Sequence, residues 1–84
     1  MARQLEPTAP WAVLVHNDEV NTVQGVMYAL NRVCGIEPQR GLQAAVHIDA
    51  AGFLEVAHCA TEADAQECVA ELQLYGLNAT VWRP

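Results

Sequence analysis

The amino-acid sequence predicts a small α+β protein, in which three helices pack on one side of a three-stranded sheet. Short apolar runs at residues 11–16, 53–59 and 77–82 have the length and composition of strands. The segments between them repeat apolar residues at helical spacing, which gives the order strand, helix, helix, strand, helix, strand. A chain of 84 residues with these elements is large enough for one domain, with one layer of helices on one sheet.

The first strand and first helix are joined by a short polar turn. Residues 11–16 are almost continuously apolar, which predicts a well-buried strand. Asn17 and Asp18 close that strand. Asn21 is predicted to cap the following helix, with Gln24 three residues later as in a capping box. Gly35 is predicted to end this helix, because glycine readily takes the left-handed conformation found there.

The second helix is predicted to begin at Pro38, a residue favoured at the first helical position, after Glu37 as its cap. His47 lies beside the apolar stripe of this helix, and residues 49–52 are predicted to form a turn. The apolar stripe consists of Leu42, Ala45 and Val46.

The second strand, third helix and third strand complete the fold. Residues 53–59 are predicted to alternate between two faces. Residues 61–64 match a helix N-terminal capping pattern, and Gly76 is predicted to end that helix. One face of the second strand would carry Leu54, Val56 and His58, and the other Phe53, Glu55, Ala57 and Cys59. The third helix would bury Ala65, Cys68, Val69, Leu72 and Tyr75. The last strand would point Leu77, Ala79 and Val81 inward.

The charge of the chain argues against nucleic acid as a partner. The formal net charge is −6, lysine is absent, and the four arginines are scattered. An acidic surface repels phosphate and can attract cationic groups. These arginines are Arg3, Arg32, Arg40 and Arg83.

The cysteines and the apolar runs indicate a cytoplasmic protein that is not inserted in a membrane. Three cysteines without a CxxC pair fit a reducing compartment, and Cys34 and Cys68 are predicted to be core thiols. No apolar run approaches the ~20 residues of a membrane span. The start of the chain lacks the apolar core of a secretion signal. Residues 1–10 are predicted to be a flexible tail, and residues 11–84 the domain.

No pattern in the sequence predicts an enzyme, a metal site or a cofactor site. Serine and lysine are absent, so neither can act as a nucleophile. His58 and Cys59 are neighbours on a strand and would point to opposite faces. The histidines, including His16, lack the ligand spacing of a structural zinc site.

The Asn17–Asp18 pair has two possible interpretations. Its oxygens could cap a helix, or they could hold a small cation such as a primary amine. His47 supports the second interpretation. The two helices between Asp18 and His47 form a hairpin, which would bring His47 back to the Asn17–Asp18 pair. Three acceptors could then share the donors of one ammonium group. For His47 itself, the structural interpretation is a residue near a helix C-terminus that packs or caps there.

Four segments of the chain together resemble the ClpS adaptor family. These segments are Trp11–Asp18, the helix start near Thr22, the triplet Ala45–His47, and Leu77–Thr80. The resemblance covers residues 11–84 and implies an antiparallel sheet. It implies a monomeric adaptor that recognises N-degrons, meaning substrates with N-terminal Leu, Phe, Tyr or Trp. The adaptor would pass them to a Clp AAA+ unfoldase of the ClpA or ClpC type.

The same resemblance implies the binding residues. The α-ammonium group of the substrate would be held by Asn17, Asp18 and His47. The side-chain pocket would include Asn21, Thr22, Val23, Gln43, Val46 and Leu77, with Asn21 and Thr22 at its rim. Val23 and Gln43 stand where methionine is common in the family, which changes pocket width and polarity. Glu62 and Asp64 would belong to the surface that docks the unfoldase.

Two alternative functions remain open at this point. One is a regulatory module that senses a free amino acid, which would need a cationic partner for the ligand carboxylate. The other is a ClpS-like interaction domain that modulates the unfoldase without delivering substrate.

Overall fold

Three strands form an antiparallel sheet in the computed structural model, which describes residues 9–18 and 20–83. They are β1 (Trp11–His16), β2 (Phe53–Cys59) and β3 (Asn78–Trp82). The helices are α1 (Val23–Cys34), α2 (Pro38–Ala51) and α3 (Glu62–Leu74). The sheet order is β2-β1-β3, with β1 at its centre. The predicted α+β architecture and element order are therefore confirmed.

The predicted faces of β2 are wrong, because the strand contains a bulge. Val13 pairs with Ala57 and Leu14 with Glu55, which leaves Val56 without a partner on β1. The extra residue reverses the alternation halfway along the strand. Consequently the core receives residues that strict alternation had placed on opposite faces, namely Val56, Ala57 and Cys59.

The start of α1 differs from the prediction by one residue. Thr22 is the N-cap, and its side-chain oxygen accepts a hydrogen bond from the Gly25 backbone N–H at 3.0 Å. Asn21 is not the cap, because its side chain is used in the preceding loop. The predicted end is confirmed: Gly35 has φ 71°, and its N–H binds the carbonyl of Asn31.

Helix α2 is longer than predicted. Glu37 and Pro38 begin it as expected, but the helix continues to Ala51, so the predicted turn at residues 49–52 is wrong. Gly52, with φ 95°, ends it. The predicted apolar stripe is confirmed only at Ala45, since the buried face consists of Gly41, Ala44, Ala45 and Ile48. Leu42 and Val46 are exposed instead.

Helix α3 begins at the predicted capping pattern, with the Thr61 hydroxyl accepting the Asp64 N–H at 3.1 Å. Its buried face is the predicted one except for Tyr75, which is exposed and meets Tyr28 of α1 edge to face. The residues that α3 does bury are Ala65, Cys68, Val69 and Leu72.

One core joins the sheet to all three helices. Its fully buried side chains come from every layer: Val13 and Val15 from β1, Leu30 from α1, and Cys68 and Leu72 from α3. Cys34 and Cys59 are buried as well.

The two ends of the chain are described only in part. Ala9 is already buried against the domain, while residues 1–8 of the predicted tail lie outside the described residues. Within the described ranges, no helix is long and apolar enough to cross a membrane.

Candidate functional site

The loop between β1 and α1 is held at the meeting point of several chain segments. The backbone N–H of Asn17 donates to the carbonyl of Gly52, just past α2, at 2.8 Å. The side-chain amide of Asn21 donates to the carbonyl of Gly76, just past α3, at 2.8 Å. Two hydrogen bonds therefore fix the loop next to the ends of two helices that are distant in sequence.

The Asp18 carboxylate organises this loop from inside. Its Oδ1 accepts the backbone N–H groups of Val20 and Asn21, each at 2.9 Å. The Asn21 amide also donates to Oδ1 at 3.1 Å and to Oδ2 at 2.9 Å. Oδ1 thus accepts three hydrogen bonds from described residues, whereas Oδ2 accepts one from them and can accept another. Asp18 shapes the loop and still presents a negative charge.

Backbone hydrogen bonding also lowers the pKa of Asp18. The N–H groups of Asn21 and Val20 favour the charged form and hold its pKa below the usual 3.8, although partial burial opposes them. Asp18 is consequently ionised at neutral pH, as an acceptor for an ammonium group must be.

This lowered pKa predicts a pH-dependent contribution to stability. The folded pKa lies below the unfolded value, so the contribution is complete above pH ~4 and disappears as the pH falls through the folded pKa. We expect wild type to be more stable than Asp18→Asn at pH 5–7, and the difference to shrink between pH 4 and 2. Urea unfolding of both proteins across this range measures it. A difference that stays constant down to pH 2 would contradict the prediction.

His47 lies on the exposed part of α2 and does not point into the core. Together with Gln43 it lines a cleft of about 620 Å³ between α2 and β2. The lining residues are Cys34, Gly35, Ile36, Arg40, Gln43, Ala44, His47, Leu54, Glu55 and Val56. Neither His47 nor the exposed Asn17 side chain makes a hydrogen bond to another described residue. Both side chains are exposed to solvent.

The remaining residues of the predicted pocket occupy different environments. Val23 and Val46 are 42% and 56% exposed, which leaves apolar surface uncovered on α1 and α2. Leu77 is 3% exposed and belongs to the core. Thr22 is exposed, but its hydroxyl is used as the α1 cap.

Packing between α1 and α2 places the turn of α1 that carries Val23 beside the turn of α2 that carries Ala45 and Val46. The helices form a hairpin, and a Cβ at Gly41 would lie only 3.6 Å from the Met27 Cα. Val23 is one turn before Met27 in α1, and Ala45 is one turn after Gly41 in α2. In an antiparallel pair these turns lie side by side.

The two acidic residues predicted for partner docking lie at the N-terminal turn of α3. Glu62 and Asp64 are both exposed, and a negative charge at this end of a helix is favourable. The loop after β1 meets the other end of α3, where the Asn21 amide donates to the Gly76 carbonyl.

Sequence reasoning missed the residues that hold the site together through their backbone. The carbonyls of Gly52 and Gly76 carry no side-chain signal, although a glycine after each helix does mark a chain reversal. It also missed Arg40, which lines the cleft two turns before His47. Its spacing of seven residues from His47 was the available signal, because it places both on one side of a helix.

Comparison with known proteins gives a family and a fold. Residues 6–80 match the family described as ATP-dependent Clp protease adaptor protein ClpS. No curated protein matches the chain. Among solved structures, one similar structure is that of Agrobacterium tumefaciens ClpS2 bound to L-phenylalaninamide, with a TM-score of 0.84. The alignment is 18% identical and covers 90% of this chain and 98% of the other.

Proposed function

The chain belongs to the ClpS family of ATP-dependent Clp protease adaptor proteins, and from that premise we propose that it is a non-enzymatic N-degron adaptor. It binds the α-amino group and large hydrophobic first side chain of a substrate. It then delivers the substrate to a Clp AAA+ unfoldase.

The observation that carries this proposal is the ionised Asp18 carboxylate, fixed beside the exposed side chain of Asn17. The loop hydrogen bonds leave Oδ2 with capacity for one more donor. An α-ammonium group offers three donors and a positive charge, and His47 supplies a third acceptor from α2. Hydrogen bonds between charged partners are stronger than neutral ones, so this end of the ligand fixes its position.

We call Asn17, Asp18 and His47 together the ammonium clamp. Apolar surface beside this clamp would receive the first side chain of the substrate. The pocket would combine the cleft between α2 and β2, which Gln43 and His47 line, with the surface that Val23 and Val46 leave to solvent. Leu77, which belongs to the core, would form its base. Covering apolar surface contributes about 25 cal/mol per Å², which favours a large side chain over a small one. Asn21 and Thr22 would form the rim of this pocket.

The ligand of the related structure is consistent with this proposal. L-Phenylalaninamide, named for ClpS2, has a free amine and an aromatic side chain, and an amide in place of a carboxylate. In these respects it is equivalent to the first residue of a peptide.

Delivery requires a surface for the unfoldase, and the exposed Glu62 and Asp64 are our candidates. We propose that the adaptor acts as a cytoplasmic monomer, without metal or cofactor, on a ClpA- or ClpC-type partner. Pull-down with an unfoldase N-terminal domain, with and without peptide, tests this. Binding of the domain but not of any N-degron peptide would instead support an interaction domain that modulates the unfoldase.

Peptides that begin with Leu, Phe, Tyr or Trp are expected to bind, and their N-acetylated forms are expected to bind about a hundredfold or more weakly. Acetylation removes the positive charge and two donors, so acceptors that the bound peptide covers are left unpaired at a cost of about 1–3 kcal/mol each. Fluorescence anisotropy with labelled peptide pairs measures this. Equal affinity for the two forms, or no binding of any of the four, would disprove the proposal.

A second candidate function is binding of a free amino acid, which Arg40 favours. This guanidinium lies in the same cleft as His47 and could donate hydrogen bonds to a ligand carboxylate. Free phenylalanine would then compete with a phenylalanine-led peptide at least as well as phenylalaninamide does. The adaptor proposal predicts that the amide competes better, since it lacks the carboxylate that Asp18 repels.

A further inference from the structure

We propose that Gln43 makes the cleft between α2 and β2 prefer an N-terminal tyrosine to an N-terminal phenylalanine. This inference rests on the proposed function, because it requires the α-amine of the ligand at His47. It adds the identity of the favoured side chain and the residue that selects it.

Helix geometry places Gln43 at the correct distance from the amine. Gln43 and His47 both line the cleft and are four residues apart on α2, which corresponds to about 6 Å along the helix axis. An extended tyrosine spans on the order of 7 Å from its α-nitrogen to its hydroxyl oxygen. A ring that lies along α2 from His47 therefore brings its para position level with the Gln43 amide.

The walls of the cleft fit an aromatic ring along this path. Ile36, Ala44, Leu54 and Val56 supply apolar surface from the α1–α2 connection, α2 and β2. Beyond His47, the polar side chains at the cleft are Arg40, Gln43 and Glu55. Glu55 already has a partner in His58, with a distance of 3.3 Å between Glu55 Oε1 and His58 Nε2. Gln43 and Arg40 are therefore the polar side chains of the cleft that could bind a polar group of the ligand.

Neither of these two side chains is used elsewhere in the described part of the chain. Gln43 makes no hydrogen bond and Arg40 no ion pair with any residue in 9–18 or 20–83. The other described arginines have partners of their own: the Tyr75 side chain raises the pKa of Arg32, and Arg83 lies over the Trp11 ring at 5.1 Å.

The chemistry of the phenol matches that of the amide. A tyrosine hydroxyl can donate to the Gln43 carbonyl oxygen and accept from the Gln43 amide or from Arg40. Phenylalanine fills the same space but leaves the Gln43 amide covered without a partner. Burying a polar group in that way costs free energy, so the site discriminates against the ligand without the hydroxyl.

The experiment compares two peptides that differ only in the first residue, tyrosine or phenylalanine, against three proteins. These proteins are wild type, Gln43→Met and Gln39→Met. Methionine has nearly the volume of glutamine without its polar atoms. Gln39 is exposed on the same helix and does not line the cleft, so Gln39→Met controls for the substitution itself.

Wild type and Gln39→Met are expected to bind the tyrosine peptide about two- to twelvefold more tightly, and Gln43→Met is expected to lose this preference. Phenylalanine binding as tight as tyrosine binding in wild type would overturn the inference and leave the proposed function standing. A tyrosine preference that persists in Gln43→Met would overturn the role of Gln43. Failure of both peptides to bind wild type would overturn the proposed function together with the inference.

Discussion

Asp18→Asn is expected to weaken binding of an N-degron peptide by about ten- to a hundredfold while the protein stays folded. The substitution removes the charge that attracts the α-ammonium, and a hydrogen bond to a charged group contributes about 1.5–3 kcal/mol. Asparagine retains an oxygen for the N–H groups of Val20 and Asn21. Only the contact between Oδ2 and the Asn21 amide is lost from the loop.

Asp18→Asn tests the effect of the charge while most hydrogen bonds of the loop remain. Asp18→Ala would remove both side-chain oxygens of Asp18 at once, together with the hydrogen bonds that they accept. Asp64→Asn is the matched control, because it changes the net charge equally at an exposed position on α3. Peptide affinity by anisotropy and folding by circular dichroism are measured together. Unchanged affinity in Asp18→Asn would assign Asp18 to loop capping alone. A general loss of affinity in both variants would indicate long-range attraction and not a clamp.

Leu72→Ala is expected to destabilise the protein by about 2–5 kcal/mol. Leu72 is fully buried in α3, where it joins the helix to the sheet, and its truncation leaves a cavity. Small domains have total stabilities of about 5–15 kcal/mol, so this loss is a large share of the total. Urea or thermal unfolding measures it.

The same helix provides the control for this prediction. Leu74 is 86% exposed, two residues further along α3. Leu74→Ala makes the same chemical change without a cavity, and its effect is expected to stay within about 0.5 kcal/mol. Similar losses in the two variants would show that α3 does not pack as described.

Most of the fold was predictable because local patterns and local structure agree. The Thr61 capping pattern gives the start of α3, and Pro38 gives the start of α2. Gly35 gives the end of α1, because its positive φ is costly for other residues. These signals act over a few residues and need no tertiary partner.

The errors occur where a nonlocal contact overrides the local pattern. Asn21 has the chemistry of a helix cap, but Asp18 and the Gly76 carbonyl compete for its amide, and Thr22 caps instead. In β2 the alternation predicts two clean faces, but the bulge at Val56 depends on pairing with β1. Neither effect can be read from the segment alone.

For the candidate site too, the sequence indicated one part and the folded chain supplied another. The residue types and order of Asn17, Asp18 and His47 indicated an ammonium clamp, and the family match agrees with the adaptor class. That Asn17 and His47 are exposed, and that Asp18 also closes its own loop, required the folded chain. The part played by these residues in binding stays a prediction until the peptide experiments are done.

By itself, the sequence determined the element order, the helix caps at Glu37 and Thr61, and the family, since each depends on residue type and short spacing. The tertiary structure alone decided how the loop that carries Asn17 and Asp18 is held in place. In the folded chain, Asp18 Oδ1 accepts hydrogen bonds from the loop, and Oδ2 can accept a further hydrogen bond. Hydrogen bonds to the carbonyls of Gly52 and Gly76 hold the loop in place. Those are hydrogen bonds between residues up to 55 positions apart, and their partners are set by the path of the chain and not by local composition.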